Sequence, residues 1–213
     1  PQYIQMTDKL TGYGYNLEAS SDKVILFFGG SNYIAYNSVG KYAHNFECPF
    51  LAVDYYGTQD SKGNMNLQTM KKSATELYDW AQEEYPQSEI VIMGHSYGAG
   101  MATYLASVRK CKTLVLAAGY RDISDLYNKM IPIFRGPLKV FISNNIKTSE
   151  YAKSVTSPVY IIGSKADRTL GESLQEKLSD CFENSELKIF NDITHENYFI
   201  SEDVVKYINN VIQ

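Results

Sequence analysis

Ile90-Val91-Ile92-Met93-Gly94-His95-Ser96-Tyr97-Gly98-Ala99-Gly100-Met101-Ala102 is the stretch whose reading decides the fold. A short apolar run leads into Gly-x-Ser-x-Gly, and small residues suited to a closely packed helix follow. A serine held in a sharp strand-to-helix turn needs glycine two residues before and after it, because side chains there would strike the crossing strand and helix. Gly94 and Gly98 meet that need. The turn exposes the serine hydroxyl and aims the N-terminus of the next helix at a reacting carbonyl, where negative charge develops. Ser96 is therefore the candidate nucleophile.

Working outward, apolar runs recur at Val24–Phe28, Phe50–Val53, Thr113–Ala117, Val159–Ile162 and Leu187–Phe190. Most are too continuously apolar for a sheet with one wet face, and they read as strands buried on both sides. Helical spacing lies between them. Leu67, Met70, Ala74, Leu77, Tyr78, Ala81 and Tyr85 form one stripe, stopped by Pro86. Leu170, Leu174, Leu178 and Cys181 mark another, with Thr169 and Glu172 at capping-box spacing. Ser201, Glu202 and Asp203 open a C-terminal helix with Val204, Val205, Ile208, Val211 and Ile212 on its apolar face. Alternating strands and helices predict an α/β fold, a mostly parallel central sheet with helices on both faces. Residues 1–213 read as one domain, and residues 119–157, with no clear strand, as a small cap segment over the site. Tyr127 and Phe134 in that segment are the expected walls of a shallow pocket, suited to acyl groups of about two to six carbons.

A serine hydroxyl is a weak nucleophile unless a base takes its proton and a third group orients the base. The chain has three histidines. His95 sits on the elbow itself and reads as a support of the turn, and His44, after the first apolar run, as a surface or supporting residue. His195 follows the last apolar run, on a loop at a strand's carboxyl end, and is the candidate base. Asp167 leaves the preceding strand on the same edge and is the candidate acid, with Asp192 as the competitor nearer in sequence. For an oxyanion hole, Phe28-Gly29-Gly30-Ser31-Asn32 after a strand offers unhindered amides. The amides of Gly30 and Tyr97 are the expected donors, with Ser31 as the alternative to Gly30. Neither GxGxxG nor GxxxxGK[ST] is present, so the glycine pair gives little support to a phosphate cradle.

Composition removes several classes. A length of 213 residues with 44% hydrophobic content suits one domain with a substantial core. A net charge of -4 with scattered basic residues gives no field for gathering nucleic acid. The three cysteines, Cys48, Cys111 and Cys181, fit neither a disulfide framework nor a CxxC site and read as buried apolar residues. No apolar run approaches the roughly 20 residues of a membrane span. The chain opens at Pro1, after either a trimmed methionine or an upstream segment. A cytoplasmic protein is the first expectation for location, and an extracytoplasmic one with an N-terminal anchor or signal the second.

With these residues in place, the chain from about Thr11 onward resembles the α/β-hydrolase superfamily, and within it the small Bem46-like and serine-aminopeptidase-like hydrolases. Those enzymes carry a His-Gly-Asn type oxyanion motif and an Asp-Tyr-Arg-Gly-Tyr-Gly-x-Ser-x-Gly segment before the elbow. Here the second element reads Asp54-Tyr55-Tyr56-Gly57-Thr58-Gln59-Asp60-Ser61-Lys62-Gly63, from which Tyr56 and Gln59 depart, and Phe28 stands where the oxyanion histidine is found. The resemblance implies a serine hydrolase cleaving a carboxylic ester or related acyl bond of a small molecule through an acyl-enzyme on Ser96, with no metal or organic cofactor. A thioesterase or a peptidase or amidase on the same residues is the alternative within catalysis, with Asp122 or Asp125 as a possible acidic site for a substrate amine. A catalytically silent binding protein on the same fold is the alternative outside it.

Overall fold

The computed structural model describes residues 1–122, 125 and 146–213. Its strands are β1 (Gln2–Gln5), β2 (Thr11–Tyr15), β3 (Lys23–Phe28), β4 (Phe50–Val53), β5 (Glu89–His95), β6 (Thr113–Ala117), β7 (Val159–Ser164) and β8 (Ser185–Phe190). They form one sheet in the order β1-β2-β4-β3-β5-β6-β7-β8. From β4 to β8 all neighbours pair in parallel, whereas β1 with β2 and β2 with β4 pair antiparallel. All six predicted apolar runs lie in this sheet. The parallel part is dry because helices cover both of its faces: Val24–Phe28, Phe50–Val53 and Leu114–Ala117 are fully buried.

The helices are α1 (Ala35–Tyr42), α2 (Leu67–Glu84), α3 (Tyr97–Val108), α4 (Thr148–Ala152), α5 (Glu172–Ser179) and α6 (Glu202–Val211). The α2 stripe forms as predicted and ends at Tyr85, before Pro86. Its start is set by a capping box: Asn66 Oδ1 accepts the Thr69 N–H at 3.0 Å, and Thr69 Oγ1 accepts the Asn66 N–H at 2.9 Å. Helix α3 packs on β5, and α2 and α4 pack against α3. On the opposite side Phe27 meets Tyr42 of α1 and Phe199.

Four expectations are corrected. Strands β1 and β2 were not anticipated, because Gln2–Gln5 is mostly exposed and Thr-Gly-Tyr-Gly-Tyr lacks an apolar alternation; the antiparallel pairing to β4 makes them strands. Strand β8 is not buried on both sides: Glu186 and Lys188 are exposed, as expected of a strand at the sheet edge. The Thr169–Glu172 capping box does not form, since α5 starts two residues later with Gly171 at its cap and the Thr169 N–H is taken by Asp167. Cys48 and Cys111 are buried, but Cys181 is only partly so. Of the predicted cap, the described residues form α4 and its flanks, whereas Tyr127 and Phe134 lie outside the described residues. Among the described residues no helix is long and apolar enough to cross a membrane.

Candidate active site

The Gly-x-Ser-x-Gly stretch turns from β5 into α3 with Ser96 at φ 54° and ψ -119°, a left-handed-side conformation that L residues rarely adopt. The chain holds it by closing hydrogen bonds around it: the Ser96 N–H donates to Ala117 O at 3.0 Å, and the Ala99 N–H to Ser96 O at 3.0 Å. Both flanking glycines are sterically required. A Cβ on Gly98 would lie 2.1 Å from Phe28 O, and one on Gly94 would lie 2.7 Å from Ala99 Cα. Gly98→Ala is therefore expected to push α3 away from β3 and destabilise the fold by about 2 kcal/mol or more, seen as a thermal midpoint lowered by about 4–8 °C. An unchanged midpoint would contradict this account of the elbow.

Three loops at the carboxyl ends of β5, β7 and β8 bring Ser96, Asp167 and His195 together. His195 Nε2 lies 3.1 Å from Ser96 Oγ, and His195 Nδ1 lies 2.9 Å from Asp167 Oδ2. The Asp167 carboxylate is fully engaged, with Oδ1 accepting the Thr169 and Leu170 N–H groups at 2.8 and 2.9 Å, and Oδ2 also accepting the Tyr198 hydroxyl at 3.0 Å. Burial alone would raise its pKa, but the hydrogen bonds and charge of His195 and the two amides outweigh that and hold the carboxyl below the usual carboxylate range. Asp167 is thus an anion at neutral pH. Asp192 is exposed, and among the described residues it makes no bond to His195; His44 is likewise exposed, on the turn after α1.

Two further residues fasten this arrangement. His95 does not stop at supporting its own turn: its Nε2 lies 2.8 Å from His195 O. Burial, reinforced by the neighbouring His195, lowers the His95 pKa to about 4, so the ring is neutral and Nε2 must carry the proton to meet a carbonyl. Tyr198 is a residue that the sequence reading missed. It sits three positions after His195 and donates to Asp167, a contact that only folding creates. Ser164 completes the link between the two loops, its Oγ accepting the Ile193 N–H at 3.0 Å.

The Gly29–Tyr33 loop lies against Ser96. A Cβ on Gly30 would stand 3.3 Å from Ser96 Cβ and 3.7 Å from Ser96 Oγ, so the Gly30 backbone abuts the Ser96 hydroxyl. Tyr97 opens α3 immediately after Ser96. The loop is anchored by Tyr33, whose hydroxyl donates to Phe27 O at 3.3 Å and accepts the Val53 N–H at 3.1 Å. The Asp54–Gly63 segment props up the same side. Asp54 Oδ1 accepts the Ala35 N–H at 2.9 Å, and the Ser61 hydroxyl donates to Asp54 O at 2.7 Å.

A family model described as the alpha/beta hydrolase fold matches residues 27–141, more than half of the sequence and including the elbow. The chain belongs to the α/β hydrolase fold family. Among its relatives is the human protein ABHD12B, 27% identical over 156 residues that make up 64% of this chain and 43% of that protein. A second is the zebrafish lysophosphatidylserine lipase ABHD12, 26% identical over 147 residues, 61% of this chain and 38% of that protein. The chain therefore spans less than half the length of these curated relatives. Among solved structures, the Pyrococcus furiosus esterase Pf2001 superposes with a TM-score of 0.77 at 19% identity, covering 98% of this chain and 88% of that one. Est1E from Butyrivibrio proteoclasticus, solved with ferulic acid bound, superposes with a TM-score of 0.70 at 16% identity over 100% and 96% of the two chains. These likenesses establish the shared fold. As in other open parallel sheets, the three candidate residues of this α/β hydrolase sit outside the carboxyl ends of the strands. Among the described residues no group of three His, Cys, Asp or Glu side chains is placed to hold a metal ion.

Proposed function

We propose that this protein is a serine hydrolase that cleaves a carboxylic ester or related acyl bond. The observation that carries the reading is the continuous chain from Ser96 Oγ through His195 to the buried Asp167, at 3.1 and 2.9 Å. In this mechanism His195 Nε2 takes the Ser96 proton as Oγ attacks the carbonyl, and then gives it to the leaving group. Asp167 keeps the proton of the resting imidazole on Nδ1 and stabilises the imidazolium. The amides of Gly30 and Tyr97 receive the oxyanion, next to the helix N-terminus that favours negative charge. Water then hydrolyses the acyl-enzyme by the same route.

The contacts of Asp122 and Asp125 give the peptidase alternative little support. Asp125 is buried and pairs with Arg121 at 3.2 Å and Lys177 at 3.9 Å, while Asp122 accepts the Ser149 hydroxyl at 2.5 Å. Both acids are engaged within the protein rather than offered to a substrate amine. The esterase and lipase names among its relatives and structural neighbours favour an ester over an amide.

A fluorophosphonate probe tests the reading, with the labelled peptide identified by mass spectrometry. Label on Ser96 is expected; its absence, with no turnover of a panel of acyl esters and thioesters, would overturn the proposal in favour of a silent binding protein. The acid is tested by substitution. Asp167→Asn is expected to lower kcat by roughly 10⁴-fold, because an asparagine cannot hold the imidazole in the required tautomer. Asp192→Asn is expected to leave kcat within a few-fold of wild type. A reversed ranking would move the acid to Asp192.

A further inference from the structure

Two cavities meet at the Gly29–Tyr33 loop, and they differ in size and chemistry. The larger, about 500 Å³, lies beside α2 and is walled by Tyr33, Ile34, Tyr55, Met65 and Met70, with Tyr97 and Gly98 at its inner end. The smaller, about 280 Å³, contains Ser96 and His195 and is walled by Ser38, Tyr42, Thr169 and Glu196, while Ser31, Asn32 and Tyr33 line both. Apolar and aromatic side chains dominate the first; the second adds the Ser38 and Thr169 hydroxyls and the Glu196 carboxylate to the rings of Phe27 and Tyr42.

We propose that the ester cleaved joins an apolar acyl group larger than acetyl to a compact neutral or cationic alcohol. The acyl arm occupies the cavity beside α2 and the alcohol the cavity facing Glu196. This deepens the serine-hydrolase reading and rests on it. The assignment of the two arms follows from proton delivery. When the Ser96 Oγ–carbon bond forms and the ester carbon–oxygen bond breaks, the departing oxygen must receive the serine's proton from His195 Nε2. His195 lines only the smaller of these two cavities, so the alcohol leaves through that one. The acyl arm then extends into the other, across the Gly30 divide. Apolar walls reward each methylene they remove from water, by about fourfold in kcat/KM when burial is complete.

Charge decides the alcohol. Among the described residues lining the smaller cavity, Glu196 is the one carboxylate; Lys41 is not part of the wall, but its Nζ lies 5.3 Å from the ring centre of the lining Tyr42 and its charge is felt at His95. An anionic alcohol such as a phosphate ester would face the wall carboxylate, with the Lys41 ammonium outside the wall, whereas a quaternary ammonium would be attracted. Glu196 is exposed, so its effect is modest and weakens with salt.

The test measures kcat/KM at low ionic strength for acetyl and hexanoyl esters of choline, glycerol and glycerol phosphate, with fluorophosphonate labelling of every variant. Wild type is expected to prefer hexanoyl over acetyl by about tenfold or more, and choline and glycerol esters over glycerol phosphate by about tenfold. Met65→Trp and Ile34→Trp each place bulk at a half-buried wall position, and the fluorophosphonate labelling of each variant reports that it is folded. Either is expected to cut the hexanoyl-to-acetyl ratio by about tenfold. Glu196→Gln is expected to lower the choline-to-glycerol ratio by about threefold. If labelling persists but neither tryptophan variant changes the acyl ratio, or wild type prefers the glycerol phosphate ester, this assignment is overturned while the serine-hydrolase reading stands. Loss of labelling and of all hydrolysis in wild type would overturn both.

Discussion

Ser96→Ala is expected to remove covalent labelling by a fluorophosphonate and to lower ester hydrolysis on the order of 10⁶-fold, because nucleophile and base act as one unit. What remains is the contribution of the oxyanion site and of binding, which does not depend on the hydroxyl. The fold should be indifferent to the change. Alanine keeps the Cβ in the same space, the backbone bonds that close the elbow come from Ser96 N and O, and the Oγ bonds to His195 alone among the described residues. Thermal unfolding within a degree or two of wild type would separate lost chemistry from lost structure. A variant that still labels, or turns over at the normal rate, would show that another residue carries the reaction.

A loss of the same order is expected for His195→Ala, since without the imidazole the serine keeps its proton and the leaving group receives none. The paired control is His44→Ala, which removes an exposed ring from the turn after α1 and should leave most activity in place. The contrast depends on position rather than residue type. His195 Nε2 is within hydrogen-bond reach of Ser96 Oγ, and removing the ring leaves Asp167 with the Thr169, Leu170 and Tyr198 donors, so the buried carboxylate is not orphaned. The fold should therefore survive. Equal losses at His44 and His195 would mean that neither is acting as the base proposed here.

Much of the candidate site could be read before folding because the turn that holds Ser96 is written in local spacing. Gly94, Ser96 and Gly98 form an elbow from steric requirements confined to five residues and the strand and helix they join. The six apolar runs predicted their strands because a sheet buried on both faces demands continuous hydrophobicity. His195 and Asp167 were legible more weakly, as polar residues just past such runs. Strands β1 and β2 were not legible, since their pairing partner β4 is far along the chain and their own residues carry no periodic signal.

By itself, then, the sequence determined an α/β chain with a strained serine turn, flanked by glycines that no other residue could replace without a clash. Tertiary structure decided the rest. It separated Asp167 from Asp192 by burying one and exposing the other, although Asp192 is much nearer to His195 along the chain. It enlisted Tyr198 as a donor to Asp167, and turned His95 from the elbow toward the carbonyl of His195, 100 residues away in sequence. It also set an apolar cavity beside α2 against a polar one facing Glu196. The physical reason is the same in each case: hydrogen bonds and cavities depend on where loops from different strands converge, and parallel strands bring their carboxyl ends together only once the sheet has formed.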